Sequence, residues 1–155
     1  MIRISKIFST LFFLGYVRWA PGTLGSIASL IIIIFLSNLI SNIQLIALFI
    51  VLSILAIKLI NIYSKSINKN DAREIIIDEF LGIYLIIIFS QNFNSFNEIL
   101  KIFLILILFR FFDIVKPFPA NWIDKNMKSS YGIIVDDIIA GIYTIIILAL
   151  INVFI

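Results

Sequence analysis

The chain has 155 residues, 62% of them hydrophobic and 14% charged, where soluble domains run at about 45–50% and about 25%. Its net charge is +3, and it contains neither cysteine nor histidine. These absences exclude disulfides, zinc–thiolate centres, Ser-His-Asp hydrolysis and histidine-based phosphoryl transfer, and the scattered positive charge gives no basis for nucleic-acid binding.

Chemistry therefore falls to carboxylates, hydroxyls, Lys, Arg or a metal. Forty isoleucines raise the hydropathy without changing the architecture. The length fits one domain over residues 1–155. The pattern predicts an all-α fold, a compact membrane-associated bundle with about five apolar helices.

Residues 1–18 read as a retained, partly amphipathic first helix on or near the membrane. Arg18 closes its apolar run where a signal peptide would place small residues. Ala20-Pro21-Gly22-Thr23-Leu24-Gly25-Ser26 then forms a tight turn, with Thr23 or Ser26 able to cap the helix that follows. Its free N–H groups are either simply capped or serve as an anion site. Between Arg18 and Lys58 there are 39 uncharged positions, divided by Ser37-Asn38 and Ser41-Asn42. This predicts a helical hairpin, with spans at 24–41 and 43–60.

Residues 58–74 are the most soluble-looking stretch, a helix end and loop without a chemical motif. Ile75-Ile76-Ile77-Asp78-Glu79-Phe80-Leu81-Gly82 leads into an apolar helix over 80–92. Two adjacent acids at a helix start are either a complement to the macrodipole or part of a site. After the polar turn 90–97 comes an apolar helix over 99–112. Arg110, Asp113 and Lys116 follow one another along one side near its end. Lys116-Pro117-Phe118-Pro119 ends that helix. Asn121-Trp122-Ile123-Asp124 reads as an interfacial segment. Gly132 breaks the chain before Ile133-Ile134-Val135-Asp136-Asp137, and 138–155 is an uncharged span.

IIIDEFLGIYLIII (75–88) and IIVDDIIAGIYTIII (133–147) echo one another, with Gly82 and Gly141 placed to let two helices approach closely. Alternating the five spans puts PGTLGS, Asp78-Glu79, Arg110-Asp113-Lys116 and Asp136-Asp137 on one side. Eleven of the twelve Lys and Arg residues share that side, which makes it cytoplasmic. Carboxylates beside hydrocarbon are costly, so their convergence points to a site for a hard cation. The neighbouring Arg and Lys suit a phosphate.

APGTLGS, IIIDEFLG, FRFFDIVKPFP followed by WID, and GIIVDDIIAG together resemble the phosphatidylglycerophosphatase A family in order, spacing and apolar context over residues 15–145. The resemblance implies a Mg2+-dependent bacterial lipid phosphatase, multi-pass in the inner membrane, with its active site facing the cytoplasm. Its phospholipid substrate would be phosphatidylglycerophosphate, hydrolysed to phosphatidylglycerol and inorganic phosphate. The positions carried over are Asp78, Glu79, Asp113, Asp136 and Asp137, with Pro21, Gly22, Thr23, Gly25, Arg110 and Lys116.

An all-oxygen donor set without His or Cys suits Mg2+. The expected ligands are Asp78, Glu79, Asp136 and Asp137. Arg110 and Lys116 would bind phosphate and stabilise its developing charge, with backbone N–H groups near Gly22–Ser26. Asp113 either orients Arg110 or binds metal. Two rivals from other classes are a cation carrier or channel lined by carboxylates, and an assembly protein whose acids only form ion pairs. A CDP-alcohol phosphotransferase would show a spaced Asp-Gly…Ala-Arg pattern that is absent.

Overall fold

The computed structural model describes residues 1–70, 72–91, 93 and 97–154. Among them run seven α-helices and no strand: α1 (Ile2–Ser9), α2 (Pro21–Ser37), α3 (Asn42–Ile67), α4 (Ile77–Ser90), α5 (Glu98–Val115), α6 (Ala120–Asn126) and α7 (Ser130–Phe154). A 3₁₀ turn covers Leu14–Tyr16. Most of the expected polar turn at 90–97 lies outside the described residues.

The first helix is shorter than the sequence predicts. Thr10 Oγ1 donates to the Lys6 carbonyl and accepts from the Phe13 N–H. Leu11, Phe12 and Phe13 then take φ of 44°, 55° and 69°, a conformation rare for residues with a side chain. The Ile76 N–H donates to the Ser9 carbonyl. The reversal after α1 thus ties the N-terminal segment to the stretch that precedes Asp78.

Two other boundaries move for identifiable reasons. Pro21 is the first residue of α2, with Ala20 before it at φ 43°. Proline suits a first helical position, where its missing N–H is not needed. PGTLG is therefore the first turn of α2, and neither Thr23 nor Ser26 caps it. In α7 the Gly132 N–H bonds to Ser129 Oγ at 3.4 Å. This is an N-cap reaching its third helical residue, so Gly132 lies inside the helix it was expected to break.

α4 is the centre of the bundle. Leu81, Ile83, Tyr84 and Ile86 are fully buried, and α7, α2 and α3 pack around them. α2 and α3 are joined by a turn but pack mainly on α4 and α1, so they are not a close hairpin. Two helices, α3 and α7, are long and apolar enough to cross a membrane. Outward-facing stripes such as Ile43, Ile46, Ile50 and Ile54 on α3, and Ile142, Ile146 and Leu150 on α7, leave much of the exterior apolar.

α4 and α7 meet through glycine. A Cβ at Gly141 would stand 3.0 Å from the Gly82 carbonyl oxygen, and one at Gly82 would stand 3.0 Å from the Asp137 carbonyl oxygen and strike the Phe109 ring. This contact sets the spacing between the two acid-bearing helices. Gly141→Leu should therefore force them apart, lowering stability by about 1–3 kcal/mol, read as an earlier thermal transition by circular dichroism in detergent.

Candidate active site

α4 delivers Asp78 and Glu79 in its first turn, and α7 delivers Asp136 and Asp137. One oxygen each from Asp78, Glu79 and Asp137 lies within 4.8 Å of the other two. Asp136 does not join this trio. Successive helical residues point about 100° apart, as 3.6 residues per turn requires, so neighbours on α7 face different partners. Asp136 Oδ2 accepts from Lys116 Nζ at 2.5 Å, and the same ammonium donates to Asp124 Oδ1 at 2.9 Å. Lys116 reaches both because it ends α5 in a left-handed conformation, φ 45°, where the prolines follow.

Arg110 Nη1 donates to Asp113 Oδ2 at 2.5 Å and lies 3.7 Å from Glu79 Oε1. Asp113 thus holds Arg110, which in turn faces Glu79. Gly22 comes against the same pair: a Cβ there would strike Glu79 Oε1 and stand 2.9 Å from Arg110 Nη1. The Glu79 carboxylate therefore lies against the first turn of α2.

A pocket of about 180 Å³ opens over this cluster. Asp78, Glu79, Asp113, Lys116, Asp136 and Asp137 line it, with Arg73, Asp124, Met127 and Lys128 also on its wall. Arg110 stands beside Glu79, outside the pocket wall. Pro21, Gly22, Thr23 and Gly25 form the turn of α2 next to it, and Gly25 packs close to Ile76. Ser26 is fully buried, with its hydroxyl donating to the Gly22 carbonyl at 2.8 Å.

Arg73, Asp124 and Lys128 are brought to the pocket by the fold. Arg73 lies in a stretch with no motif, and nothing local in the sequence marks it. Its Nη2 donates to the Arg18 carbonyl at 3.0 Å.

Asp78 Oδ1, Glu79 Oε2, Asp136 Oδ1 and Asp137 Oδ2 are all buried without a hydrogen-bond partner among the described residues. Buried polar atoms are almost always satisfied, and unpaired buried charge is costly. Four orphaned carboxylate oxygens in one pocket fit a hard divalent cation, which takes oxygen ligands. Burial, and then the neighbouring Glu79, push Asp78 well above the usual carboxylate range. Glu79 is raised to about 8, first by burial and then by Asp137. Burial works to lower Lys116, but its hydrogen bonds to Asp136 and Asp124 outweigh that and raise it. Lys116 therefore stays cationic.

The phosphatidylglycerophosphatase A family model matches residues 7–152. A phosphatidylglycerophosphatase A of Haemophilus influenzae is 34% identical over 134 residues, covering 86% of this chain and 79% of the relative. One of Escherichia coli is 33% identical over 123 residues, covering 79% and 68%. A chain of Bacteroides thetaiotaomicron that carries the provisional name phosphatidylinositol-3-phosphatase is 29% identical over 143 residues, covering 87% and 85%. No solved structure matches the chain. Fold and relatives together define the class: an all-helical phosphatase. The chain belongs to the phosphatidylglycerophosphatase A family.

A carboxyl group must lose its proton before it ligates a cation. With Glu79 raised to about 8, protons compete for the site throughout the neutral range. Affinity for Mn2+, used as a spectroscopic probe, should rise with pH between 6 and 8, by about tenfold per unit for each proton displaced. It should level off above the Glu79 value. Titration by electron paramagnetic resonance checks this, and an affinity that does not change with pH would contradict it.

Proposed function

We propose that this chain hydrolyses phosphatidylglycerophosphate to phosphatidylglycerol and inorganic phosphate, with Mg2+ held at Asp78, Glu79 and Asp137 and with Asp136 beside them. Two observations support the reading. The family match covers nearly the whole chain, and Asp78, Glu79 and Asp137 converge, each with a buried oxygen that lacks a partner among the described residues. The second observation carries the assignment of metal ligands. Mg2+ bound there would supply Lewis acidity toward the phosphoryl oxygens and the attacking water.

The remaining roles belong to the chain's own side chains. Lys116 has three N–H donors and spends two on Asp136 and Asp124. One donor remains for a phosphoryl oxygen in the pocket that Lys116 lines. Arg110, held by Asp113, fixes the position of Glu79 and offsets part of its charge. Asp136 keeps Lys116 aimed into the pocket. The buried side of the cluster lies between the packed helices α4 and α7, where oriented charges stabilise developing charge more effectively than in water.

The same reading places the chain in the bacterial inner membrane as a multi-pass protein, its active site facing the cytoplasm. In support, α3 and α7 have the length and apolarity to span, and the bundle carries apolar side chains outward. Eleven of the twelve Lys and Arg residues sit on the side of the acidic motifs when the spans alternate. The relatives named as phosphatidylglycerophosphatases are bacterial.

Detergent-purified protein should release phosphate from phosphatidylglycerophosphate with Mg2+ and stop when EDTA is in excess. Asp137→Asn should lower that rate by about a hundredfold or more, in line with the loss of a metal ligand. It should also abolish Mn2+ binding while leaving the helical circular dichroism intact. Asp136→Asn should lower turnover but keep more of the Mn2+ affinity, because its main partner is Lys116. Normal turnover in Asp137→Asn would remove the metal assignment. Cation flux in liposomes without phosphate release would favour a carrier.

A further inference from the structure

Lys116 and Arg110 are largely committed to carboxylates, and the one donor left on Lys116 serves the monoester. Lys116 is shared by Asp136 and Asp124, and Arg110 is bound to Asp113 and stands outside the wall. Two other cations line the same pocket, Arg73 and Lys128. Both are exposed, and neither forms an ion pair among the described residues. Arg73 is anchored through one nitrogen to the Arg18 carbonyl, which leaves most of its guanidinium donors available. Lys128 also lines an adjoining polar cavity of about 170 Å³, together with Lys65, Ser129 and Ser130.

Size and charge both direct a second anion to this rim. The pocket holds about 180 Å³, close to the cavity of about 150 Å³ that takes one benzene. A phosphoryl group therefore fits it, and the rest of a lipid headgroup lies across the rim. Six carboxylates line the pocket and repel an approaching lipid anion. Exposed cations at its edge counter that field.

We infer that Arg73 and Lys128 form a subsite for the second phosphate of the substrate, the phosphodiester that joins its two glycerols. This subsite sets the preference for that lipid over one bearing a monoester alone. The inference rests on the lipid phosphatase reading above. The monoester lies among Asp78, Glu79, Asp137 and Lys116 while the diester crosses the rim, so the two phosphates of one molecule are read by two separate groups of residues.

The test compares kcat/KM for phosphatidylglycerophosphate and for phosphatidic acid in mixed micelles, using the full chain with Mg2+. Arg73→Gln and Lys128→Gln are measured singly and together, and circular dichroism checks their folding. Each substitution should lower the ratio of the two kcat/KM values by about tenfold, the worth of one charged hydrogen bond. Arg73→Lys should recover part of it. A ratio that stays constant, whether both rates hold or both fall equally, overturns the subsite. So does an equal loss of inhibition by inorganic phosphate, which would mean that the rim holds the free anion. Wild-type protein inert on both lipids overturns the lipid phosphatase reading, and the subsite with it.

Discussion

Three carboxylates held within 4.8 Å of one another inside an apolar helix bundle are the constraint that the rest of this structure depends on. Two like charges at about 4 Å repel by about 4 kcal/mol even at an effective dielectric of about 20. Desolvation adds to that cost. The surroundings answer it with charge. Arg110 sits beside Glu79, braced by Asp113, and Lys116 joins Asp136 to Asp124. Even so, four carboxylate oxygens lack partners among the described residues. A protein keeps such a liability where function needs it.

Close backbone contact is the second requirement. The acids on α4 and α7 can converge only if the helices themselves approach, and Gly82 and Gly141 permit that approach. Gly22 does the same for α2, whose first turn comes against the Glu79–Arg110 pair. Small residues stand where backbones must meet, while isoleucines such as Ile33, Ile60, Ile83 and Ile86 fill the core around those contacts and others face outward. The outcome is a bundle with an acid-rich pocket at one end and apolar side chains facing outward along α3, α5 and α7.

Adjacent residues do different work here. Asp136 and Asp137 are neighbours in sequence, yet Asp137 joins the trio while Asp136 serves Lys116. A helix turns neighbours away from each other, so a tandem acid pair on one helix is shared between two partner elements. Asp78 and Glu79 diverge as well. Glu79 meets Arg110 and Gly22 from α5 and α2, while both keep an oxygen within reach of Asp137.

The sequence by itself determined the helical class, the membrane-like composition and the family, and it marked the acids as candidates. Apolar runs too long for strands, motifs in a fixed order and the lack of His and Cys are all local properties of the chain. The glycine pair was also legible, because a small residue at the same place in two similar helices has a packing meaning. Only the tertiary structure decided which acids meet. It separated Asp136 from Asp137, placed Arg110 beside Glu79, and made PGTLG the first turn of α2 in place of a capped loop. It also brought Arg73 to the pocket from a stretch without a motif and set it on the same wall as Lys128. Side-chain direction depends on helix phase and on the partner across the interface, and neither is written in local sequence. The reversal after Thr10 has the same origin. Its backbone strain is offset by the docking of the N-terminal segment on residues 72–76, a contact distant in the chain.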